Sequence, residues 1–472
     1  MDVVIVIILA NFRNGQETYK APRYHLEMTD SRLIERWKQT KIIGIIGMGD
    51  MGQMYAERFG QHGWKVVCCD REEKYEELLE SSRNKKYTVV ENGHFVSRVS
   101  DYIIYSVEAE IIDKIVREYS PSTKVGSIVG GQTSCKSPEI KALEKYLPED
   151  VDIVSVHSLH GPRVNPEGQP LVLIKHRCHN EESFPFVEAV VSCLKSKQVL
   201  LTYEEHDRIT ADTQAVTHAA FLSMGVAWYK KQLYPWTIGV NRWYGGFENV
   251  KVNISLRIFS NKWHVYAGLA ITNPAAHQQI MQYAKSASEL FSLFVQGKKE
   301  ELTQRLLVAK EFVFPEQKSH RLLLDDSLLE RYSLSKHVPQ EGEETLPNSH
   351  LSLLAIVDSW FQLQINPYDH IICSTPLFRI FLGVTEYLFM TPNLLETTID
   401  AAIHQTAFRD DDLEFVIAAR SWSSIVSFES YDLYRRQFEE VQEFFKPMLP
   451  EANVIGNEMI KTILRHVNNH SI

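Results

Sequence analysis

The fold is decided by residues 41–70, which read KIIGIIGMGDMGQMYAERFGQHGWKVVCCD. An apolar run at 42–46 leads into the glycine-rich segment 47–52, and a second apolar run at 65–69 ends at Asp70. The glycines therefore lie between a predicted strand and a predicted helix, with an acidic residue about twenty positions further on. This arrangement predicts a Rossmann-type dinucleotide-binding domain.

The glycine-rich segment supplies most of the predicted cofactor contacts. Gly47 permits the tight turn, Gly49 lets the pyrophosphate approach the backbone, and Gly52 allows close packing of helix on strand. The helix N-terminus offers amide groups with partial positive charge to the phosphates. The predicted cofactor-binding residues are Gly47, Met48, Gly49, Asp50, Met51, Gly52, Asp70 and Arg71.

Two adjacent residues leave the choice between NAD and NADP open on physical grounds. The carboxylate of Asp70 would accept hydrogen bonds from a free ribose 2′-hydroxyl, which favours NAD. The guanidinium of Arg71 could instead hold the 2′-phosphate of NADP while Asp70 turns away. These residues alone therefore do not decide the cofactor.

Further apolar runs, rich in β-branched residues, follow in the first half of the chain. Such runs are typical of strands covered on both faces, and helical stretches between them predict a doubly wound α/β sheet. Ligands bind beyond the carboxyl ends of such strands. His157 at one strand end and Ser134 just past another are therefore candidate site residues. The predicted strands are DYIIYSV (101–107), KVGSIVGG (124–131), VDIVSVH (151–157) and PLVLIKH (170–176).

The second half of the chain has helical patterning throughout. The polar stretch SKHVPQEGEETLPNS at 335–349 is the best candidate for a linker. The sequence thus predicts an α/β domain followed by an all-α region. The predicted boundaries are 1–30 for an N-terminal extension, 31–205 for the dinucleotide-binding domain, 206–315 for a helical domain, 316–348 for a linker region and 349–472 for a C-terminal helical domain.

The C-terminal region contains an apparent internal repeat. THAAFLSMGVAWYKKQLYPW at 217–236 aligns with SHLSLLAIVDSWFQLQINPY at 349–368 at a constant offset of 132, which pairs His218 with His350. Further along, Arg257 faces Glu386. We interpret residues 349–472 as a degenerate second copy of the helical domain; the alternative is that two apolar helices are alike by chance.

Composition excludes several classes of protein. The formal net charge of −10 argues against a nucleic-acid partner, whose phosphates require a basic surface. The six cysteines form no CxxC pair, which favours a reducing compartment and no structural metal. The apolar run at 3–10 is too short to span a bilayer and lacks a basic leader. These features predict a cytoplasmic protein with no membrane partner.

Several separated motifs occur in one order along about 42–314. They are GMGDMG (47–52), TSCK (133–136), HSLHGP (157–162), EEHD (204–207), QAVTH (214–218) and LRIF followed by YAGLAITN (256–273). In this set the chain resembles the prephenate dehydrogenase family of tyrosine biosynthesis. The resemblance implies oxidative decarboxylation of prephenate to 4-hydroxyphenylpyruvate. The whole chain is most similar to the NADP-dependent members, which favours NADP over NAD.

The resemblance also implies roles for individual residues. His157 matches the catalytic histidine that accepts the proton of the ring hydroxyl, a task that suits an imidazole with an unperturbed pKa of about 6.5. Ser134 matches a serine that hydrogen-bonds this histidine and the substrate hydroxyl. His218 and Arg257 match residues of the substrate pocket, where an arginine fork holds a carboxylate. His160 has no motif match, and we expect a structural or peripheral role.

Structural explanations stand beside these roles. His157 could be a satisfied histidine at a strand end, Ser134 a turn residue, His218 a core histidine and Arg257 half of a surface ion pair. Two other functions also remain open, namely arogenate dehydrogenase and a catalytically inactive dinucleotide-binding regulatory protein. Because the family dimerises through its helical domains, we expect either a monomer with an internal pseudo-dimer or a homodimer.

Overall fold

A computed structural model describes residues 30–162, 164–237, 246–315, 329, 332–334 and 346–470. The chain forms two compact units that divide between Ile209 and Thr210. The predicted N-terminal extension lies outside the described residues apart from Asp30, and the predicted linker lies largely outside them. Within the described ranges, no helix is both long and apolar enough to cross a membrane.

The first unit is built on an eight-stranded sheet with the strand order β3-β2-β1-β4-β5-β6-β7-β8. The strands are β1 (Ile42–Ile46), β2 (Lys65–Cys69), β3 (Thr88–Val89), β4 (Tyr102–Tyr105), β5 (Ile128–Gly131), β6 (Asp152–Ser158), β7 (Pro170–Arg177) and β8 (Lys197–Leu200). Neighbouring strands are parallel except for β6 and β7, which are antiparallel. The predicted α/β fold is therefore confirmed, although the sheet is not wholly parallel and β3 and β8 were not among the predicted strands.

Helices accompany this sheet along the chain. They are α1 (Ser31–Thr40), α2 (Asp50–Gln61), α3 (Tyr75–Ser81), α4 (Gly93–Val99), α5 (Ile112–Tyr119), α6 (Lys136–Tyr146), α7 (Ser183–Val191) and α8 (Tyr203–Thr210). The first of them begins at a cap, because the Asp30 side chain accepts a hydrogen bond from the backbone N–H of Arg32 at 3.0 Å.

Alternation along the central strands divides the apolar core in two. Ile43 and Ile45 of β1 belong to one core, whereas the adjacent Ile46 belongs to the other. The same division separates Ile104 from Ile103 on β4. Because successive strand side chains point to opposite faces, both faces of the sheet are covered by packed side chains.

The second unit is helical. After a π-helical turn at Ala211–Ala215 come α9 (Val216–Lys230), α10 (Glu248–Phe259), α11 (His264–Thr272), α12 (Pro274–Gln296), α13 (Lys299–Val313), α14 (Leu351–Gln362), α15 (Pro376–Met390), α16 (Leu394–His404), α17 (Arg409–Ser427), α18 (Tyr431–Phe445) and α19 (Leu449–His470). The predicted all-α character of this half is confirmed.

The division between the units differs from the predicted domain boundary. A boundary after residue 205 would assign His206 and Asp207 to the helical domain, but both belong to the first unit. The physical reason is the carboxylate of Asp207, which accepts hydrogen bonds from the backbone at the start of α6. Most of α8 is thereby held against the α/β unit.

Candidate active site

The glycine-rich turn between β1 and α2 has the backbone that a dinucleotide site requires. Gly47 has φ 103°, and a Cβ atom there would clash with the carbonyl oxygen of Ser106. A Cβ at Gly52 would clash with the carbonyl oxygen of Gly47, whereas Gly49 has open space around it. The turn is therefore compact at its base and open where a pyrophosphate would approach the first amides of α2.

The end of β2 holds this turn through Asp70. Its carboxylate accepts from the backbone N–H of Met48 at 3.1 Å and from that of Arg71 at 2.8 Å. The Arg71 side chain is exposed and makes no hydrogen bond or ion pair with described residues of the chain. Asp70 thus tethers the loop, and Arg71 leaves a guanidinium available for a phosphate.

Sheet topology gathers the predicted residues of this unit at one edge. Strands β1, β4, β5 and β6 are parallel neighbours, so their carboxyl ends lie together. Gly47 follows β1, Ser134 follows β5, and His157 is the penultimate residue of β6. This is the edge at which ligands bind in sheets of this kind.

His157 belongs to a buried row of three hydrogen-bonded side chains. Its Nδ1 lies 2.7 Å from Nε2 of His206, and Nδ1 of His206 lies 2.9 Å from Oδ1 of Asp207. All three residues are less than 10% exposed. Among the described residues of the first unit, His157 Nε2 makes no hydrogen bond.

Asp207, on α8, is held in place by hydrogen bonds from the first backbone N–H groups of α6. Its two carboxylate oxygens accept from the backbone N–H of Lys136 at 2.6 Å and from that of Ser137 at 2.7 Å. Burial alone would raise the pKa of Asp207, but hydrogen bonds from His206 and these amides hold it below its usual range. The carboxylate is therefore ionised at neutral pH.

The two imidazoles are neutral. Burial lowers the pKa of His157 well below its ordinary value, and the neighbouring His206 and Lys136 lower it further. Burial also lowers the pKa of His206, although Asp207 opposes that shift. An unprotonated His157 at the carboxyl edge can accept a proton at Nε2.

A second buried network connects α6 to β6 at the residues just before His157. The Nζ atom of Lys136 lies 3.0 Å from both carboxylate oxygens of Glu139 and 2.9 Å from Ser155 Oγ. It also donates to the carbonyl oxygen of Val156 at 2.9 Å, directly before His157. Both charged side chains are fully buried, so this network connects α6 rigidly to the strand that carries His157.

The chain is similar to several known proteins. A family model described as a 6-phosphogluconate dehydrogenase C-terminal domain matches residues 215–465, and one described as NADP oxidoreductase coenzyme F420-dependent matches residues 42–129. The chain is 69% identical over 446 residues to prephenate dehydrogenase (NADP+) of Saccharomyces cerevisiae, covering 94% of this chain and 98% of that one. It is 56% identical to a probable enzyme of the same name from Schizosaccharomyces pombe, covering 91% of this chain and 99% of that one.

The chain belongs to the NADP-dependent prephenate dehydrogenase family. A probable arogenate/prephenate dehydrogenase of Methanocaldococcus jannaschii is more distant, with 25% identity over 52% of this chain and 56% of that one.

Ser134 lies in a bend ahead of α6 and is half-buried. Among the described residues, the expected hydrogen bond between Ser134 and His157 is absent, and Nδ1 of His157 is bonded to His206 instead. His160, for which a structural or peripheral role was expected, is buried, and its Nδ1 lies 3.0 Å from the carbonyl oxygen of Gly161.

The other two predicted substrate residues belong to the helical unit. His218 on α9 is buried, its ring meets that of Tyr266 edge-on at 4.7 Å, and burial lowers its pKa to about 4. Its Nδ1 is buried without a hydrogen-bond partner among the described residues. Arg257, near the end of α10, is half-buried and donates from Nη1 to Oδ1 of Asn457 on α19.

Sequence reasoning did not assign a site role to His206 or Asp207. Both are part of EEHD at 204–207, which contributed only to the family resemblance. A usable signal was present, because an adjacent His–Asp pair in a short helix that directly follows a strand is suited to reach the edge of the sheet.

Proposed function

We propose that this chain oxidises prephenate to 4-hydroxyphenylpyruvate with reduction of NADP in L-tyrosine biosynthesis. The observation that supports this most directly is the placement of His157. Its imidazole has an unpartnered Nε2 at the same sheet edge as the glycine-rich turn. Membership in the NADP-dependent family gives the substrate and the cofactor.

In the proposed reaction, His157 accepts a proton at Nε2 from the hydroxyl group on ring carbon C4. Bound NADP supplies the acceptor for the hydride that leaves C4. The resulting ring ketone draws in the electron pair of the C1–carboxylate bond as carbon dioxide departs. The ring becomes aromatic, and its oxygen recovers a proton from His157, which returns the base to its starting state.

The remaining predicted residues would hold the substrate. The guanidinium of Arg257 is suited to one of the two prephenate carboxylates, because its planar fork makes two parallel hydrogen bonds to such a group. His218 offers an unpartnered Nδ1 for a polar contact. Ser134, close to the edge where His157 lies, would hydrogen-bond the substrate hydroxyl.

Steady-state kinetics on the purified chain test this function. Reduced cofactor, followed by its absorbance, should form rapidly with prephenate and NADP, and His157→Asn should lower kcat on the order of 10²-fold or more while cofactor affinity stays normal. Preference for arogenate would revise the substrate. Absence of turnover with either substrate would point to an inactive regulatory protein, and a near-normal kcat in His157→Asn would exclude the histidine as base.

We also propose that residues 349–472 are a degenerate copy of the preceding helical domain. The order of elements supports this. The series α9 to α13 includes a 3-10 turn at Pro235–Thr237, and the series α14 to α18 includes one at Pro367–Cys373. Helices α13 and α18 are each 15 residues long, and α18 begins 132 positions after α13.

Local geometry recurs at the same spacing. Gln232 has φ 53° and Gln364, 132 positions later, has φ 56°. Each donates from Nε2 at 2.7 Å to the carbonyl oxygen three residues earlier, on Tyr229 and Phe361 respectively. A left-handed non-glycine residue is uncommon, so the coincidence of strain, spacing and hydrogen bond favours duplication over chance resemblance.

The packing of the helices supports the proposed duplication, because helices of each series pack on helices of the other. Helix α9 packs on α17, α14 packs on α12, and α12 and α17 pack on one another. In consequence Trp422 and Tyr434 of the second series line the same narrow cavity as His218 and Tyr266 of the first. The second copy would thus occupy the place of a partner subunit.

The two related histidines have different surroundings. His350 lies 2.7 Å from the carboxylate of Glu248 and 3.2 Å from Nζ of Lys251, whereas His218 has aromatic neighbours. Buried charged side chains thus surround His350, at the position in the second copy that corresponds to His218. We therefore expect one substrate site per chain and a monomer of 54.4 kDa in solution. Equilibrium titration and light scattering test this, and two sites per chain or an obligate dimer would contradict it.

A further inference from the structure

We infer that His206 and Asp207 act with His157 as a relay that fixes which nitrogen of the catalytic imidazole is free and shares its positive charge. This inference rests on the proposed role of His157 as general base. Both residues act through His157, so they are positioning residues. The three side chains form one hydrogen-bonded row from the start of α6 to the carboxyl edge of the sheet.

The direction of each hydrogen bond follows from the carboxylate. Asp207 is an acceptor, because two backbone N–H groups of α6 already donate to it. Nδ1 of His206 must therefore carry the proton that joins it to Oδ1 of Asp207. In a neutral imidazole the other nitrogen is then an acceptor, so Nε2 of His206 takes the proton of His157 Nδ1. The remaining nitrogen of His157, Nε2, is left as the base.

The same row can disperse charge during the reaction. When His157 accepts a proton at Nε2, its Nδ1–H bond to His206 becomes charge-assisted, and Asp207 supplies a balancing negative charge behind it. The other titratable groups around the row include Lys136 and Glu139 on α6, Cys135 ahead of that helix, His160 beyond β6 and Tyr203 on α8. The cation Lys136 opposes protonation of His157, whereas the carboxylate of Asp207, hydrogen-bonded to His206, favours a positive charge on the row.

A purely structural role would have different consequences. The Asp207 carboxylate also caps α6, and a cap alone would affect stability without changing the pH dependence of turnover. The pH–rate profile therefore separates the two roles. Turnover needs an unprotonated base, so kcat falls as pH falls through the apparent pKa of the row.

Asp207→Asn tests the charge. The neutral amide cannot balance an imidazolium, and its NH₂ group disfavours the His206 tautomer described above. We expect kcat to fall on the order of 10²-fold or more. Because Asp207 raises the pKa of His206 in the native protein, its loss should move the acid limb of the profile to lower pH. The affinity for NADP, measured by fluorescence, should remain near normal.

His206→Gln and His206→Leu test the hydrogen bond independently of the α6 cap. A glutamine oxygen can accept from His157 Nδ1–H and keep Nε2 free, whereas leucine offers no acceptor. We expect the leucine variant to lose at least tenfold more kcat than the glutamine variant. His176→Gln is the matched control, because the His176 ring is bonded to Glu144 and packs on Tyr203 rather than on a member of the row, so its replacement should leave kcat unchanged.

The outcomes separate this inference from the proposed function. If Asp207→Asn and His206→Leu keep kcat within about threefold of the native value with an unmoved acid limb, the relay is wrong. If His157→Asn alone is inactive in that case, the general base survives. If His157→Asn is also active, the proposed mechanism fails as well. Equal losses in the two His206 variants would show that the acceptor at this position does not matter.

Discussion

Lys136→Met should destabilise the α/β unit strongly, because it removes one partner of a buried ion pair. Lys136 and Glu139 are both fully buried. The ammonium group also donates to the carbonyl oxygens of Gly131 at 3.0 Å and Val156 at 2.9 Å, and it lies 2.9 Å from Ser155 Oγ. Methionine would fill a similar space without satisfying any of these oxygens.

The size of the effect follows from what remains after the change. Removing one partner of a buried pair leaves an uncompensated charge and typically costs about 3–5 kcal/mol of unfolding free energy. Glu139→Gln should cost a similar amount, because it leaves Lys136 charged and buried. The double variant contains no charge at this position, and Thr133 still donates to residue 139. We therefore expect a favourable coupling of about 2–3 kcal/mol between the two substitutions.

Urea unfolding at neutral pH measures these free-energy changes, provided that the slope with denaturant is unchanged. Because the two units can unfold separately, amide exchange of β5 and β6 should accompany the urea data.

The control is an exposed ion pair on the same unit. Lys145 lies 3.8 Å from Asp113, and both side chains are more than half exposed. Lys145→Met should have no measurable effect on the urea midpoint, since exposed pairs contribute little. The reasoning is refuted if Lys136→Met is as stable as the native chain, or if the double variant is destabilised by the sum of the two single effects.

Three further predictions concern the cofactor, the substrate and the helical unit. Arg71→Ala should lower kcat/KM for NADP and leave that for NAD unchanged, because only NADP carries a 2′-phosphate; equal losses would place the guanidinium elsewhere. Arg257→Ala should raise KM for prephenate well over tenfold, as expected for a contact of about 2–5 kcal/mol, whereas Asn457→Ala removes only the helix contact and should have a small effect. Burial raises the pKa of Asp412 from its ordinary value of 3.8 to about 7, so its contribution to stability is lost as pH rises from about 4 to about 7; Asp412→Asn should flatten this part of the urea-midpoint profile, and an unchanged profile would exclude that titration.

The strands that could be predicted are those with a strong local pattern. Long β-branched runs identified β1, β2, β4, β5, β6 and β7, because strands buried on both faces need apolar side chains at every position. Strand β8 reads KQVL and β3 is two residues long, so neither carries such a pattern. The antiparallel direction of β7 depends on the connection at 159–169, and a strand's own composition contains no information about its direction.

In the candidate site, too, the residues that could be predicted are those with a local sequence signal. Gly47, Gly49 and Gly52 could be predicted because a turn that approaches a phosphate needs glycine at fixed positions. Their short spacing can therefore be recognised in the sequence. His157 could be assigned as a strand-end residue, and the resemblance supplied its chemistry. Nothing local, however, showed what its Nδ1 would meet, since His206 is 49 positions away along the chain.

The surroundings of that second nitrogen decide what the imidazole can do. A histidine at a strand end is a base only if one nitrogen is held as a donor and the other is free, and the burial that keeps it neutral also makes an unpartnered N–H unfavourable. In this fold β6 brings His157 to the edge, α8 brings His206 to its Nδ1, and the start of α6 holds Asp207 behind both. Three elements that are separate in sequence therefore fix the protonation state of one side chain. For that reason the tautomer of His157 depends on the strand order and on the placement of the helices. It can be assigned only when the fold is known.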